Sequence, residues 1–214
     1  MTESSSQAAR RTTYRHGALK PALIEAGLRL ARAGGPDAIV LREAARQAGV
    51  APNAAYTYFA DRNALVDAVA TAALAQMATM MAAELDDLTP SADPAMAALQ
   101  RFRGVGIGYL RFARTEPGLF RTAFTTGRNA TAVGVPDAAG PTGRSGIELL
   151  GDALDEMVAA GNLPAERRPG AEYLVWSAVH GMAFLAIDGP LRTLPDDQLD
   201  AMGQRMLDMI GRGI

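Results

Sequence analysis

The chain has 214 residues, of which 49% are apolar and 21% charged, with a net charge of −2 and a mean hydropathy of +0.02. These proportions exclude a fibrous or a disordered protein. Because cysteine is absent and only two histidines occur, the composition also excludes a disulfide framework, a thiolate nucleophile and a Cys- or His-rich metal site.

The charge is unevenly distributed along the chain. Residues 1–70 carry nine Lys or Arg against six Asp or Glu, which gives a net charge of +3, whereas residues 71–214 have a net charge of −5. Nucleic acids respond to local charge, so the N-terminal part is the one expected to meet a polyanion. A difference of this size also arises by chance. The basic N-terminus has no apolar segment behind it, and no secretory signal is expected.

Helical spacing with breakers between the segments recurs along the chain, and alternating apolar and polar runs are scarce, so an all-α fold is expected. A flexible basic arm over residues 1–16 precedes four predicted helices at 17–33, 41–48, 52–58 and 61–81. Gly49 ends the second helix, and Pro52 suits the first turn of the third. Asp61 is a suitable N-cap for the long fourth helix.

A segment rich in Asp and Pro, residues 86–94, separates this head from a helical body. Five further helices are predicted at residues 94–115, 117–124, 144–160, 169–187 and 196–211. Residues 127–146 carry five glycines and two prolines without apolar periodicity, which predicts a long, mobile and functional loop. We expect a helix-turn-helix domain over residues 17–70, joined by the long fourth helix to a ligand-binding and dimerisation domain over residues 71–214.

The longest uncharged apolar stretch lies in the eighth predicted helix. It covers residues 173–187, which is 15 residues, whereas a transmembrane helix needs about 20. A buried helix is therefore expected, with no membrane partner and a cytoplasmic location.

The segment from Leu41 to Phe59 has the pattern of a helix-turn-helix. Ala45 and Gly49 lie four residues apart, where a small side chain allows two helices to cross closely and glycine allows the chain to turn sharply. In that motif the second helix enters the major groove of DNA. An ordinary helix hairpin, with the aromatic residues of 56–59 in its core, is the alternative.

The third predicted helix carries the residues best suited to reading DNA. The amide of Asn53 can match both N6 and N7 of adenine, and Ala54 can touch a thymine methyl. The hydroxyls of Tyr56 and Tyr58 and the charge of Arg62 suit phosphates, which set the register rather than the sequence. The complete predicted DNA-binding set is Arg15, Arg42, Pro52, Asn53, Ala54, Tyr56, Thr57, Tyr58 and Arg62.

Three blocks of residues 14–70 together resemble the DNA-binding domain of the tetracycline-repressor (TetR/AcrR) family. They are LREAARQAGV at 41–50, YTYF at 56–59 and ADRNAL at 60–65. The pair YRHG at 14–17 and WSAVHG at 176–181 is similar to a subgroup whose C-terminal domain is named for its Trp, His and Gly. The resemblance implies an all-helical homodimer that represses transcription and leaves its operator when a small molecule enters the C-terminal domain.

The chain departs from the family pattern at four positions of the head. Val40 stands where Ser or Thr is common, and Ala51 where Ser is common, so two hydroxyls that contact phosphate or cap a helix are missing. Arg62 replaces the usual Lys and adds a fork of donors. Tyr58 replaces a frequent His.

Aromatic residues at helical spacing in the body suggest an apolar ligand pocket, although plain core is the more common role of such residues. Trp176 and His180 lie four apart and share a helix face, where the imidazole can bond a ligand or a backbone carbonyl. Gly181 is expected to mark a close helix approach. The predicted ligand-binding set is Phe102, Tyr109, Phe112, Phe120, Phe124, Trp176 and His180.

The last predicted helix carries apolar residues at spacings of 3, 4 and 3, a narrow seam suited to packing against another helix. That helix can belong to the same chain or to a second copy. The last two helices of each subunit are expected to form a four-helix interface. The predicted interface set is Met182, Leu185, Leu199, Met202, Met206 and Met209.

These features favour a ligand-responsive regulator whose partners are double-stranded operator DNA, a small-molecule effector and a second copy of itself. The rival is a helical carrier or sensor of small molecules without DNA binding, which the missing hydroxyls at 40 and 51 support. No nucleophile with a base and no metal set is visible, so neither an enzyme nor a cofactor is expected.

Overall fold

The computed structural model describes residues 19–125 and 134–213, and within these ranges every regular element is helical. Three short 3-10 turns lie at Pro36–Ala38, Pro136–Ala138 and Ala165–Arg167. The nine α-helices of the described residues are α1 (Leu19–Gly34), α2 (Leu41–Gln47), α3 (Pro52–Tyr56), α4 (Arg62–Asp86), α5 (Pro94–Thr115), α6 (Pro117–Thr125), α7 (Gly146–Ala159), α8 (Ala171–Ile187) and α9 (Asp196–Gly213).

The all-α prediction is confirmed, and each predicted helix has its counterpart. The predicted arm over residues 1–16, with Arg15, lies outside the described residues. Helix α4 continues to Asp86, five residues beyond its predicted end, and residues as far along as Ala82 remain buried. Helix α3 ends at Tyr56, and the amide groups of Tyr58 and Phe59 both donate to the carbonyl of Ala55.

The glycine-rich loop predicted over residues 127–146 is more structured than expected in its described part. Residues Pro136–Ala138 form a 3-10 turn, and Ala138 is buried. The backbone at Gly140 lies so close to α4 that an added Cβ would sit 3.0 Å from the nitrogen of Thr79. The turn at 136–138 and the backbone at Gly140 therefore pack on α4, and the mobility of the loop stays a prediction. Residues 127–133 lie outside the described part.

The head is built around α1 to α3 and the first half of α4. Gly49 has a φ of +72°, the left-handed conformation that glycine adopts readily, and this turns the chain from α2 into α3. The turn is closed by a bond from the amide of Val50 to the carbonyl of Ala45. Asp61 caps α4 as predicted, since its Oδ1 accepts from the amide of Ala64 at 2.9 Å.

The N-termini of α2 and α3 lack side-chain caps. Their N-cap residues, Val40 and Ala51, have the extended backbone of a cap but no side-chain acceptor. Because a Ser or Thr at this position satisfies an amide of the first turn, we expect Val40→Thr and Ala51→Ser each to raise the free energy of unfolding by about 1 kcal/mol. Thermal unfolding should show this as a rise of about 2–4 °C.

Ala60→Ser is the control for the two capping variants. Ala60 is exposed but is not an N-cap residue, so its substitution should leave the unfolding temperature unchanged. If the control is as stabilising as the two cap variants, the explanation by capping is wrong.

Helix α5 lies at the centre of the body, between α4 and α9. Three alternate glycines make this position possible because atoms of the neighbouring helices, side chains at two positions and backbone at the third, occupy the space of their missing Cβ atoms. Gly104 faces Leu85, a Cβ on Gly108 would lie 2.6 Å from the Cα of Met81, and a Cβ on Gly106 would overlap Leu207 of α9.

Helix α4 belongs to both parts of the protein. Leu65 and Val69 lie in the core of the head, whereas Met77 and Met81 lie in the core of the body. The helix has the length and apolar composition to cross a membrane, but 56% of its most apolar window is buried inside the protein, as in the core helix of a folded domain.

Head and body also meet where the start of α6 packs on the end of α1. The backbone at Gly118 lies against the carbonyl of Ala31, and a Cβ at Gly118 would overlap that oxygen. Beside this contact, Nε of Arg32 donates to Glu116 at 3.0 Å and its Nη2 donates to Gln76 at 2.7 Å. The junction therefore joins the end of α1 to both α4 and α6.

Candidate nucleic-acid interface and ligand cavity

Helix α3 presents most of the predicted DNA-reading residues on the surface of the head. Ala55 and, just beyond the helix, Phe59 anchor it in the core. Ala54 and Tyr58 are half-buried and pack against that core. The exposed members of the predicted set on and beside this helix are Pro52, Asn53, Tyr56 and Thr57.

Helix α2 adds one unpaired cation to this surface. Arg46 donates twice to Glu43, which also accepts from Gln47, and these hydrogen bonds lower the pKa of Glu43 to about 2. The charge of Arg46 is therefore neutralised within the helix. Arg42 is exposed and makes no ion pair with the described residues, which leaves it available to a phosphate.

Arg62 bonds to the backbone of the head while its side chain stays 44% exposed, and its contact with a phosphate stays a prediction. Its Nε donates to the carbonyl of Ile39 at 2.8 Å and its Nη2 to the carbonyl of Pro36 at 2.6 Å. These bonds fix the turn that precedes α2. Sequence reasoning missed this role because the two carbonyls lie 23 and 26 residues away along the chain.

A small apolar cavity lies in the body, between α4, α5, α6, α7 and α8. Its volume is about 30 Å³, which is room for about one water molecule. Three of the predicted ligand-binding residues, Tyr109, Phe124 and Trp176, form part of its wall. The other wall residues are Met77, Met81, Val105, Gly106, Gly146, Ile147, Leu150, Val175 and Val179.

One hydrogen-bonded chain connects three polar groups at this wall. Nε1 of Trp176 donates to the hydroxyl of Tyr109 at 3.2 Å, and that hydroxyl lies 2.7 Å from Nδ1 of His180. Burial raises the pKa of Tyr109 and lowers the pKa of His180. Both groups are therefore neutral at pH 7.5, and the hydrogen bond between them runs from the hydroxyl to Nδ1 or from Nδ1 to the hydroxyl according to the tautomer of the imidazole.

Two phenylalanines of α6 pack around the imidazole. The ring of Phe120 stacks on His180 with centroids 5.4 Å apart, and the ring of Phe124 meets it edge-on at 4.7 Å. Five of the seven predicted ligand-binding residues thus come together at one place. Phe102 and Phe112 do not line the cavity; both are fully buried core residues.

Sequence reasoning missed most of the cavity wall because its members are aliphatic residues, methionines and glycines. Such residues occupy the core of every helical protein, and periodicity does not distinguish a core position from a cavity wall. Only the aromatic residues stood out in the sequence.

Helix α8 exposes an apolar face. Tyr173 and Phe184 lie on one side of it and Leu174 and Leu185 on the other, and all four are exposed, Leu174 to 65%. Ser177 and Gly181 lie between them, also exposed. The signal in the sequence was that α8 is apolar on every side, whereas a surface helix has a polar face.

The predicted dimer-interface residues divide into two groups. Leu185, Met202 and Met209 are exposed, Met209 to 73%, and remain available to a partner. Leu199 is only 6% exposed and lies with Met182 beside Leu110 of α5, so its assignment to a dimer interface is wrong. Met206 is half-buried against the core of its own chain.

The expectation for Gly181 is also wrong within the chain. A Cβ placed there would meet no atom within 4 Å. The small residue therefore serves no close approach among the described helices.

Two family models match the chain. Residues 23–69 match that of bacterial regulatory proteins of the tetR family, and residues 102–210 match the tetracyclin repressor-like C-terminal domain. The chain belongs to the TetR family. This TetR-family protein is thus a transcriptional regulator of the DNA-binding, ligand-responsive kind.

Solved structures share the fold over nearly the whole chain. A protein with unknown function from Rhodococcus sp. RHA1 is 24% identical, with a TM-score of 0.71, over 95% of this chain and 98% of that one. The regulator FadR from Bacillus subtilis, in complex with stearoyl-CoA, is 15% identical, with a TM-score of 0.62, over 91% of this chain and 98% of that one.

A TetR variant from Acinetobacter baumannii AYE, in complex with minocycline, is 20% identical, with a TM-score of 0.56, over 91% of this chain and 94% of that one. No curated protein sequence matches the chain. At these identities the similarity concerns the fold alone.

Proposed function

We propose that this TetR-family protein is a homodimeric repressor that binds a palindromic operator through α3 and is released when a small molecule enters the cavity of the body. The observation that carries the proposal is the outer surface of α3, where Asn53, Tyr56 and Thr57 are exposed beside the unpaired Arg42. An exposed amide and hydroxyls on a short helix anchored by buried residues suit a major groove. Such a repressor works in the bacterial cytoplasm.

The exposed apolar faces of α8 and α9 support the homodimer. Monomeric proteins rarely leave a contiguous apolar patch of this kind uncovered. A second copy would cover each patch with its own equivalent, as a two-fold axis requires. The same axis would place the two α3 helices on half-sites of a palindrome, separated by one or more helical turns.

Helix α4 offers the path from the cavity to the head. Met77 and Met81 line the cavity, and the same helix supplies Leu65 and Val69 to the core of the head. A ligand larger than the cavity has to displace part of its wall, including the two methionine side chains of α4. It would bind one orientation of α4 better than the other, and that difference is what shifts operator affinity.

A gel-shift on the DNA that flanks the protein's own gene, with random DNA as competitor and at two salt concentrations, tests the proposal. A specific complex should survive the competitor and weaken steeply as the salt concentration rises. Asn53→Ala should lower the affinity for the operator by about 10-fold and leave the affinity for random DNA unchanged, because only base reading is lost.

Thr89→Ala is the control for the operator experiment, since Thr89 is exposed between α4 and α5, away from α3. Equal losses on operator and random DNA in Asn53→Ala would contradict base reading by this residue. A carrier of small molecules, favoured by the uncapped α2 and α3, would bind ligands without any salt-sensitive DNA binding.

A further inference from the structure

We infer that the cavity of the body selects its ligand by charge and takes an uncharged, mainly apolar molecule with a single hydrogen-bonding group. This inference rests on the proposed function, because it names the class of molecule that would release the operator. Three features carry it: the absence of charge from the wall, the limited hydrogen-bonding capacity of the wall, and the mobility of the side chains on one side.

Charged side chains are absent from the described wall of the cavity. Two cations on or beside the wall helices are paired with carboxylates away from it. Arg144 pairs with Asp152 on α7, and Arg121 of α6 donates to Asp188 at the end of α8. A carboxylate or phosphate in the cavity would therefore be buried without a counter-charge, which is strongly unfavourable.

An amine would be in the same position, since no carboxylate of the described residues lines the cavity. The aromatic rings at the wall can attract a cation. That attraction does not replace the hydration of an ammonium group as a carboxylate would. The wall therefore disfavours both signs of charge.

The wall can form hydrogen bonds with only one small neutral group of a ligand. The hydroxyl of Tyr109 accepts from Trp176 and is bonded to Nδ1 of His180, which leaves it one hydrogen-bonding position, a lone pair or its own proton according to the tautomer. A single hydroxyl on a ligand can both donate and accept, so it can use that position without breaking the chain. A second polar group would face only hydrocarbon.

The space for the ligand comes from the methionine side of the cavity. A Cβ on Gly146 would lie 3.1 Å from Sδ of Met81 and 3.2 Å from Cε of Met77, so the ends of these two flexible side chains fill the space beside the glycine. Methionine rearranges easily because it is unbranched. The opposite wall, formed by Tyr109, Phe124 and Trp176, offers ring surfaces to an apolar body.

The test uses the one tryptophan of the chain as the reporter, because Trp176 lies in the wall. Cyclohexylmethanol, cyclohexanecarboxylate and cyclohexylmethylamine share one carbon skeleton and do not absorb where tryptophan is excited. Each is titrated into the full-length protein at pH 7.5. The alcohol should change the fluorescence of Trp176 saturably and bind at least about 10-fold more tightly than the acid or the amine, and it should weaken the operator complex.

Tyr109→Phe isolates the hydrogen bond. Removal of the hydroxyl should weaken binding of cyclohexylmethanol by about 5- to 10-fold and leave methylcyclohexane, which has no polar group, unaffected. If both compounds lose affinity equally, the variant has changed the shape of the site, and the assigned role of the hydroxyl is wrong.

The outcomes separate the inference from the function on which it rests. Binding of the carboxylate or the amine as tightly as the alcohol overturns the inference, and so does the absence of a saturable response to all three while the operator still binds. A selective response to the alcohol in a protein that binds no operator would uphold the class of ligand and overturn the repressor instead.

Discussion

Gly181→Glu is expected to convert the protein into a folded monomer that has lost most of its operator affinity. Gly181 lies in the middle of the exposed face of α8, and a side chain there meets no atom of its own chain within 4 Å. In the proposed dimer the same position approaches the two-fold axis. Two carboxylates would then be buried together without a counter-charge, which opposes association by several kcal/mol.

The monomer itself should tolerate this substitution. Glutamate favours a helix more than glycine does, by about 0.5–1 kcal/mol, so thermal unfolding of the isolated subunit should not become easier. Loss of the second subunit removes the second half-site contact, and the affinity for a palindrome should fall by about 100-fold or more. Analytical ultracentrifugation and gel-shift measure the two effects.

Ala159→Glu is the matched control, because it adds the same charge at an exposed position of α7. It should remain dimeric and bind the operator normally. If the Gly181→Glu protein stays dimeric at micromolar concentration, the dimer forms through a surface other than this face of α8.

The second large effect is expected from Gly118→Ala at the junction of head and body. The added methyl group would overlap the carbonyl oxygen of Ala31, and backbone cannot rotate away as a side chain can. Helices α1 and α6 must therefore separate. We expect the free energy of unfolding to fall by about 1–3 kcal/mol, which thermal unfolding would show as a decrease of several degrees.

The same variant should also disturb the response to a ligand. Phe120 and Phe124 of α6 pack against His180 beside the cavity, and the first turn of α6 contacts α1 of the head. The concentration of ligand needed to release the operator should therefore change along with stability. The half-exposed ion pair of Arg32 and Glu116 contributes little to the junction by comparison.

Gly151→Ala is the control for Gly118→Ala, because the same methyl group enters a helical position of α7 whose nearest neighbour, Nη2 of Arg168, lies at 3.6 Å, an ordinary contact. It should be neutral or slightly stabilising. If Gly118→Ala is equally neutral, the close approach of α1 and α6 does not contribute to the stability of the protein.

The features that were predictable from the sequence act over a few residues. Gly49 and Pro52 shape one turn, and Asp61 caps the helix that follows it. Each can be recognised because its conformational effect does not depend on the rest of the chain. For this reason the helices of the head and the exposed position of α3 agree with expectation.

The features that the sequence did not reveal depend on contacts between distant parts of the chain. Arg62, although partly exposed, donates to two carbonyls of the segment before α2, and Leu199 lies against α5 rather than on a free surface. Helical periodicity shows which residues share a face but not which neighbour that face meets. The cavity was recognised only through its aromatic residues for the same reason.

The three alternate glycines of α5 have a consequence for the order of folding. Each lowers the intrinsic helix stability by about 1 kcal/mol relative to alanine, so α5 would be largely unwound without its neighbours. Gly106 receives Leu207 from α9, and the ribosome makes α9 after the other eight described helices. The centre of the body can therefore complete its folding only once α9 has been synthesised, whereas the head has no such dependence on α9.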